Sequence, residues 1–178
     1  MTARKTTPNV QTSAPSSPPS GEATETSHDS SQAIQRMRSA FADQLSQQGI
    51  VRTPAVENAL RTVPRHPFVP GASLEQAYAT TPVHAATSFI TAEPALAALL
   101  LEQAQVQPAM RVLDTGATTG YPAALIAHMV GGQGHVTTVN TDADLVRTAI
   151  ASLAEIGSST IRVASSQAAI GYADGAPG

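Results

Sequence analysis

Five residues in one short stretch carry the clearest chemistry of this chain: Asp114, Gly116, Thr118, Gly120 and Asn140. Asp114 follows the apolar pair Val112-Leu113, and the two glycines flank Thr118. An Ala/Leu/Ile-rich run, a Gly-rich turn and a second β-branched run ending at Asn140 come next. That order predicts strand, glycine loop, helix, turn and strand, the nucleotide-binding half of an α/β fold. The glycines let the backbone turn sharply and approach a ligand that a Cβ would push away. A polar residue at the tip of the second strand is placed to meet ribose hydroxyls. Asp114 has two readings, as a tie that accepts loop amides or as a contact to a bound cofactor. Asn140 likewise reads as a strand-end turn residue or as a ribose ligand. Alone, such a loop is an ordinary βα turn, so its flanks decide.

The elements that must position these residues follow from periodicity. From about residue 31 the pattern is helical, with Ile34, Met37, Phe41 and Leu45 at three- and four-residue spacing and Gly49 as the stop. Thr53-Pro54 predicts an N-cap followed by Pro at the first helical position, with Val56, Ala59 and Leu60 on one face. Pro64, Pro67 and Pro70 then break regular structure. A further helix is expected from Glu93-Pro94 to Gln103, then strand Arg111–Leu113, helix Tyr121–Val130, strand His135–Val139, helix Ala143–Ile156 and strand Ile161–Ala164. Asp142 and Asp144 cap and charge the start of the helix after the second strand. Three strands in one parallel sheet, joined by right-handed crossovers, place the first in the middle of the order with its far edge unpaired. A bare parallel edge is a liability, so this reads as the front part of something larger. Residues 1–30 are rich in Ser, Thr and Pro, and are expected to be disordered. The expected organisation is a tail (1–30), a helical and substrate-side segment (31–104), and a partial Rossmann-like domain (105–178).

Composition narrows the function classes. A length of 178 residues suits one domain, and low charged (13%) and aromatic (3%) contents predict a light aliphatic core. A net charge of -3 gives no electrostatic case for nucleic acid or an anionic membrane. The absence of cysteine excludes disulfides and thiolate metal sites, and His28, His84, His128 and His135 show no ligand spacing. Arg4 and Lys5 have no apolar run behind them, and the run Ala95–Leu101 is too short to span a bilayer. A soluble, cytoplasmic protein is expected.

Three blocks then resemble the protein-L-isoaspartate O-methyltransferase family, of the class I S-adenosylmethionine-dependent type. The first is Val63-Pro64-Arg65-His66-Pro67-Phe68-Val69-Pro70, close to the family's VPRHxFVP, with Ala77-Tyr78 following. The second runs from Val112-Leu113-Asp114 through Gly120-Tyr121 and Ala123-Ala124-Leu125, and the third is Val136-Thr137-Thr138-Val139. Together they span roughly Gly49 to Gly171. The arrangement is especially similar to the subgroup encoded beside modified-peptide gene clusters, whose members methylate an aspartate side chain of a partner peptide. The resemblance implies attack of a carboxylate oxygen on the methyl of a sulfonium, with catalysis resting on alignment. It implies that the glycine loop passes under the methionine part of S-adenosylmethionine. The residue ending strand two holds the ribose, and a later acidic residue holds the adenine amine.

Several positions depart from that pattern. The middle glycine of the family's Gly-x-Gly-x-Gly is Thr118, a β-branched residue that is strained wherever φ > 0 is needed. The acid expected after strand two is Asn140, which loses the charge-assisted grip on a diol. The acid expected after strand three falls on Gln167. The Ser-x-Pro-like element bordering the substrate pocket is Ala92-Glu93-Pro94, without the serine hydroxyl. Weak cofactor binding is the expectation. Arg65-His66 invites acid-base chemistry, yet methyl transfer to a carboxylate needs no general base, so a structural role between two prolines is expected.

Three functional readings follow. The first is an S-adenosylmethionine-dependent carboxyl O-methyltransferase acting on aspartyl or isoaspartyl residues of a protein or peptide. Another is a non-catalytic, truncated methyltransferase-like binding module. A nicotinamide dinucleotide oxidoreductase leaves the VPRH block unexplained. Self-association through the unpaired strand edge is expected alongside the first two.

Overall fold

The computed structural model describes residues 22–81, 94–116, 118–158 and 160–165. Helix α1 covers Glu22–Gln47 and thus begins before the start expected near residue 31, so the last residues assigned to the tail are helical. The remainder of that tail, residues 1–21, lies outside the described residues. The expected periodicity of α1 holds: Phe41 and Leu45 are buried, and Ile34 and Met37 pack against the same core.

Helix α2 (Pro54–Thr62) starts as predicted, with the Thr53 side chain accepting from the Val56 amide and Pro54 in the first turn. Its apolar face of Val56, Ala59 and Leu60 is buried. After it a single 3-10 turn, His66–Phe68, forms between Pro64 and Pro70. A short helix α3 (Leu74–Ala77), which periodicity did not show, opens with a full capping box between Ser73 and Gln76. Helix α4 covers Pro94–Ala104.

The sheet follows the expected alternation, with strand ends one or two residues longer than predicted: β1 Arg111–Thr115, β2 His135–Asn140 and β3 Ile161–Ser165. Helix α5 (Tyr121–Val130) joins β1 to β2, and α6 (Ala143–Glu155) joins β2 to β3. All pairings are parallel. The order is β1-β2-β3, which corrects one expectation: β2 is central and β1 is an edge. Among the described residues no strand pairs with the far side of β1. Sequential crossovers in one direction give this order, because each βαβ unit lays its second strand beside its first.

Helix α5 packs on β1 and β2, and α6 packs on β2, β3 and the 3-10 turn. The sheet face with Val112, Val136, Ile161 and Val163 closes against them. Helix α2 lies on α5, and α1 lies on α2 and α3, so these N-terminal helices form an outer layer on the α5 side. No helix among the described residues is long and apolar enough to cross a membrane.

Candidate functional site

The carboxyl ends of β1 and β2 lie side by side, with Thr115 opposite Val139 and Asn140 opposite Ser165 of β3. In open α/β sheets this is the edge where ligands bind. The Gly116 amide donates to the Val139 carbonyl at 2.9 Å, so the loop leaves the sheet from a fixed point. Gly116 has φ +104, a conformation that a side chain would strain, and a Cβ there would meet nothing within 4 Å. The backbone at Gly116 therefore faces open space. Gly120 closes it at φ +91 and serves as the N-cap of α5, with no side-chain cap. A Cβ at Gly120 would come within 3.2 Å of the Leu153 side chain, so this glycine also lets α6 pack close.

The first turn of α5 consequently has uncapped backbone donors at Tyr121 and Ala123, Pro122 having none. Such an end attracts anionic groups through its oriented amides. Thr118 lies in the same loop and is half-buried.

Asp114 belongs to β1 itself, and among the described residues its carboxylate is tied across the strands rather than to the loop amides. The Thr138 hydroxyl donates to Asp114 Oδ2 at 2.7 Å. The two residues are register partners on the same sheet face. Burial pushes the Asp114 carboxyl above the usual carboxylate range, and the Thr138 hydrogen bond opposes that only in part. Asn140 ends β2, and its Oδ1 accepts from the Asp142 amide at 2.8 Å. This is the turn role foreseen for it. Asp142 caps α6 by accepting from the Asp144 and Leu145 amides, as expected.

The VPRH block packs directly behind the loop. Arg65 is 2% exposed, and its guanidinium carbon lies 5.2 Å from the Tyr121 ring centre and 5.9 Å from that of Phe41. Its Nε donates to the Ala77 carbonyl at 2.8 Å. The Arg65 amide donates to the Tyr78 hydroxyl at 3.3 Å, and His66 Nδ1 pairs with that hydroxyl at 3.0 Å. Phe68 meets the Tyr121 ring at 5.5 Å. Burial lowers the Arg65 and His66 pKa values and raises those of Tyr78 and Tyr121. His66 thus ties the 3-10 turn to the end of α3, and Arg65 knits that segment to α5, the structural role the flanking prolines suggested.

The structure brings Asp114, Gly116, Thr118, Gly120 and Asn140 to one edge of the sheet. Pro94 is buried at the start of α4. Ala92, Glu93 and Gln167 lie outside the described residues. Sequence reasoning missed Thr138 as the partner of Asp114, although a parallel register of the Val-Leu-Asp and Val-Thr-Thr-Val runs sets them opposite each other. It also missed Tyr121, which hydropathy treats as one more core residue.

Comparison with known proteins agrees with this architecture. A family model described as Protein-L-isoaspartate(D-aspartate) O-methyltransferase (PCMT) matches residues 36–178. A protein-L-isoaspartate O-methyltransferase of Methanothermobacter thermautotrophicus is 32% identical over 140 residues, covering 79% of this chain and 64% of the relative. One from Rhodopseudomonas palustris (strain ATCC BAA-98 / CGA009) is 37% identical over 127 residues, covering 71% of this chain and 57% of its own length. The chain thus spans about three fifths of the length of these curated relatives. A solved protein-L-isoaspartate O-methyltransferase superposes with a TM-score of 0.71 at 23% identity, covering 79% of this chain and 45% of that one, a likeness of fold. A Plasmodium falciparum structure assigned to the same enzyme, in complex with S-adenosyl-L-homocysteine, gives 0.62 at 20% identity, covering 71% of this chain and 62% of that one. By its family match, its relatives and its Rossmann-like sheet, this chain belongs to the protein-L-isoaspartate O-methyltransferase family.

Proposed function

We propose that the chain is an S-adenosylmethionine-dependent carboxyl O-methyltransferase of the protein-L-isoaspartate type, acting on aspartyl or isoaspartyl residues of a protein or peptide. The observation that carries this reading is the uncapped first turn of α5 together with the bare backbone of Gly116, which faces open space. That donor set fits the cofactor: backbone amides for an α-carboxylate, room at Gly116 for close approach, and a polar side chain at the tip of β2. When bound, S-adenosylmethionine supplies an electrophilic methyl group on a sulfonium sulfur.

The loop from Gly116 to Gly120 holds the methionine portion, with Thr118 narrowing its middle. Asn140 offers its amide to the ribose, a weaker grip than a carboxylate gives. Gln167 is assigned to the adenine by its place after β3, and Ala92-Glu93-Pro94 to the substrate side by its place before α4. Asp114 orients the β1–β2 pair through Thr138. The attacking carboxylate of the substrate is ionised at neutral pH, so no residue here has to take a proton. What the protein contributes is alignment of the carboxylate with the methyl and the leaving sulfur, and exclusion of water from that line.

The test is transfer of labelled methyl from S-adenosylmethionine to two peptides, one with an isoaspartyl residue and one with aspartate at the same position. Labelling of either supports carboxyl methylation, and the preference distinguishes repair-type substrates from a designated aspartate. A chain that binds these peptides yet labels neither is the non-catalytic module instead.

A further inference from the structure

Burying a cation without a carboxylate partner is costly, and the Arg65 guanidinium has none among the described residues. Among the described residues its Nη2 is buried without a hydrogen-bond partner, and so is the Tyr121 hydroxyl. Even a buried ion pair can often be replaced by apolar side chains of similar volume without loss of stability. A buried cation without a carboxylate lacks the attraction that offsets its desolvation. The buried charge itself therefore adds nothing to stability beyond the contacts the side chain makes. The position of Arg65 gives a reason for an arginine here.

Tyr121 is the first residue of α5, directly after Gly120. The turn it begins has no side-chain cap, so tertiary packing must hold its amides in place. Two groups grip the Tyr121 ring, the Arg65 guanidinium at 5.2 Å and the Phe68 ring at 5.5 Å. Arg65 is fixed in turn by the Ala77 carbonyl and by the Phe41 ring of α1. A planar, delocalised cation between two aromatic faces fixes orientation as a flexible aliphatic chain does not. We propose that Arg65 is a positioning residue for the cofactor loop, holding Tyr121 and with it the first turn of α5 in the geometry that receives the ligand. The proposal rests on the reading of that loop as the S-adenosylmethionine site. It makes the VPRH block a brace between the outer helices and the ligand-binding edge, touching neither cofactor nor substrate.

The experiment compares the full chain with R65M and R65K in three readouts. These are melting temperature, titration with S-adenosylhomocysteine, and amide exchange of Gly120, Tyr121, Ala123 and Ala124 against that of β2. R65M is expected to melt no lower than the wild type and to bind about tenfold more weakly. Its loop amides should exchange faster while β2 is unchanged, and R65K should recover part of both losses. Wild-type affinity and loop exchange in R65M would overturn the proposal. So would a loss of affinity that only follows a fall in melting temperature, with exchange faster throughout. If R65M does not fold, R65K decides: wild-type affinity overturns the brace, while weaker binding with faster loop exchange upholds it. A wild type that binds no S-adenosylhomocysteine, with loop exchange still faster in R65M, upholds the brace and contradicts the cofactor reading.

Discussion

Asp114 shows how one side chain at this edge carries an energetic consequence. Its folded pKa lies above its ordinary value because burial disfavours the charged form more than the Thr138 hydroxyl favours it. A raised folded pKa means the protonated form is the better accommodated one. The stability it contributes is present below the ordinary carboxylate range and is lost as pH rises through the folded value. Asp114→Asn should therefore melt higher than the wild type at neutral pH. The gap should close in scans run below the usual aspartate range, and equal melting temperatures at neutral pH would refute the assignment. At the opposite strand end, Asn140→Asp should tighten S-adenosylmethionine binding, and Thr118→Gly should add to it by widening the loop. Each gain is expected at about 1–2 kcal/mol, near tenfold, read from titrations of the single and double variants. The residues of this edge were legible because glycine placement and strand ends are local features. The Thr138–Asp114 pair was not, because it depends on strand register, which neither run specifies alone.

At the scale of elements, the start of α2 is held from another helix. Glu102 of α4 accepts at one oxygen from the Arg52 amide, the Thr53 amide and the Thr53 hydroxyl, all within 3.1 Å. Partial burial raises the Glu102 pKa, and those three hydrogen bonds outweigh it to leave a net lowering. A depressed carboxylate pKa contributes stability above the ordinary glutamate range that is lost as pH falls through the folded value. Glu102→Ala should cost about 1–2 kcal/mol in denaturant unfolding at neutral pH, with the difference shrinking in acid. An unchanged midpoint would contradict this capping role. Helices α2, α4, α5 and α6 were readable from apolar spacing and caps to within a residue or two, because each buries a regular stripe. Helix α3 escaped because four residues are too few to show a period, although the spacing of Ser73 and Gln76 carried the capping-box signal. The start of α1 at Glu22 precedes its apolar stripe, so periodicity placed it late. The edge position of β1 was misassigned because strand order is a property of the crossovers, not of any single strand.

At the scale of the whole molecule, the far side of β1 is unpaired among the described residues, and α4 exposes Leu96, Leu99 and Leu100. Leu100 is 59% exposed on an otherwise aliphatic helix. An open parallel edge and an apolar stripe both favour association. The purified chain is expected to self-associate with rising concentration in light scattering, and Leu100→Glu should reduce it; a cooperatively melting monomer at high concentration contradicts the expectation. The family match covers the VPRH block, the glycine loop and all three strands together. Whether that edge receives S-adenosylmethionine is the central question, and calorimetric titration of the full chain with the cofactor answers it most directly. The account predicts weak, saturable, one-to-one binding that tightens in the Thr118→Gly/Asn140→Asp double variant. No saturable binding by either protein, or tight wild-type binding that the double variant leaves unimproved, would contradict it.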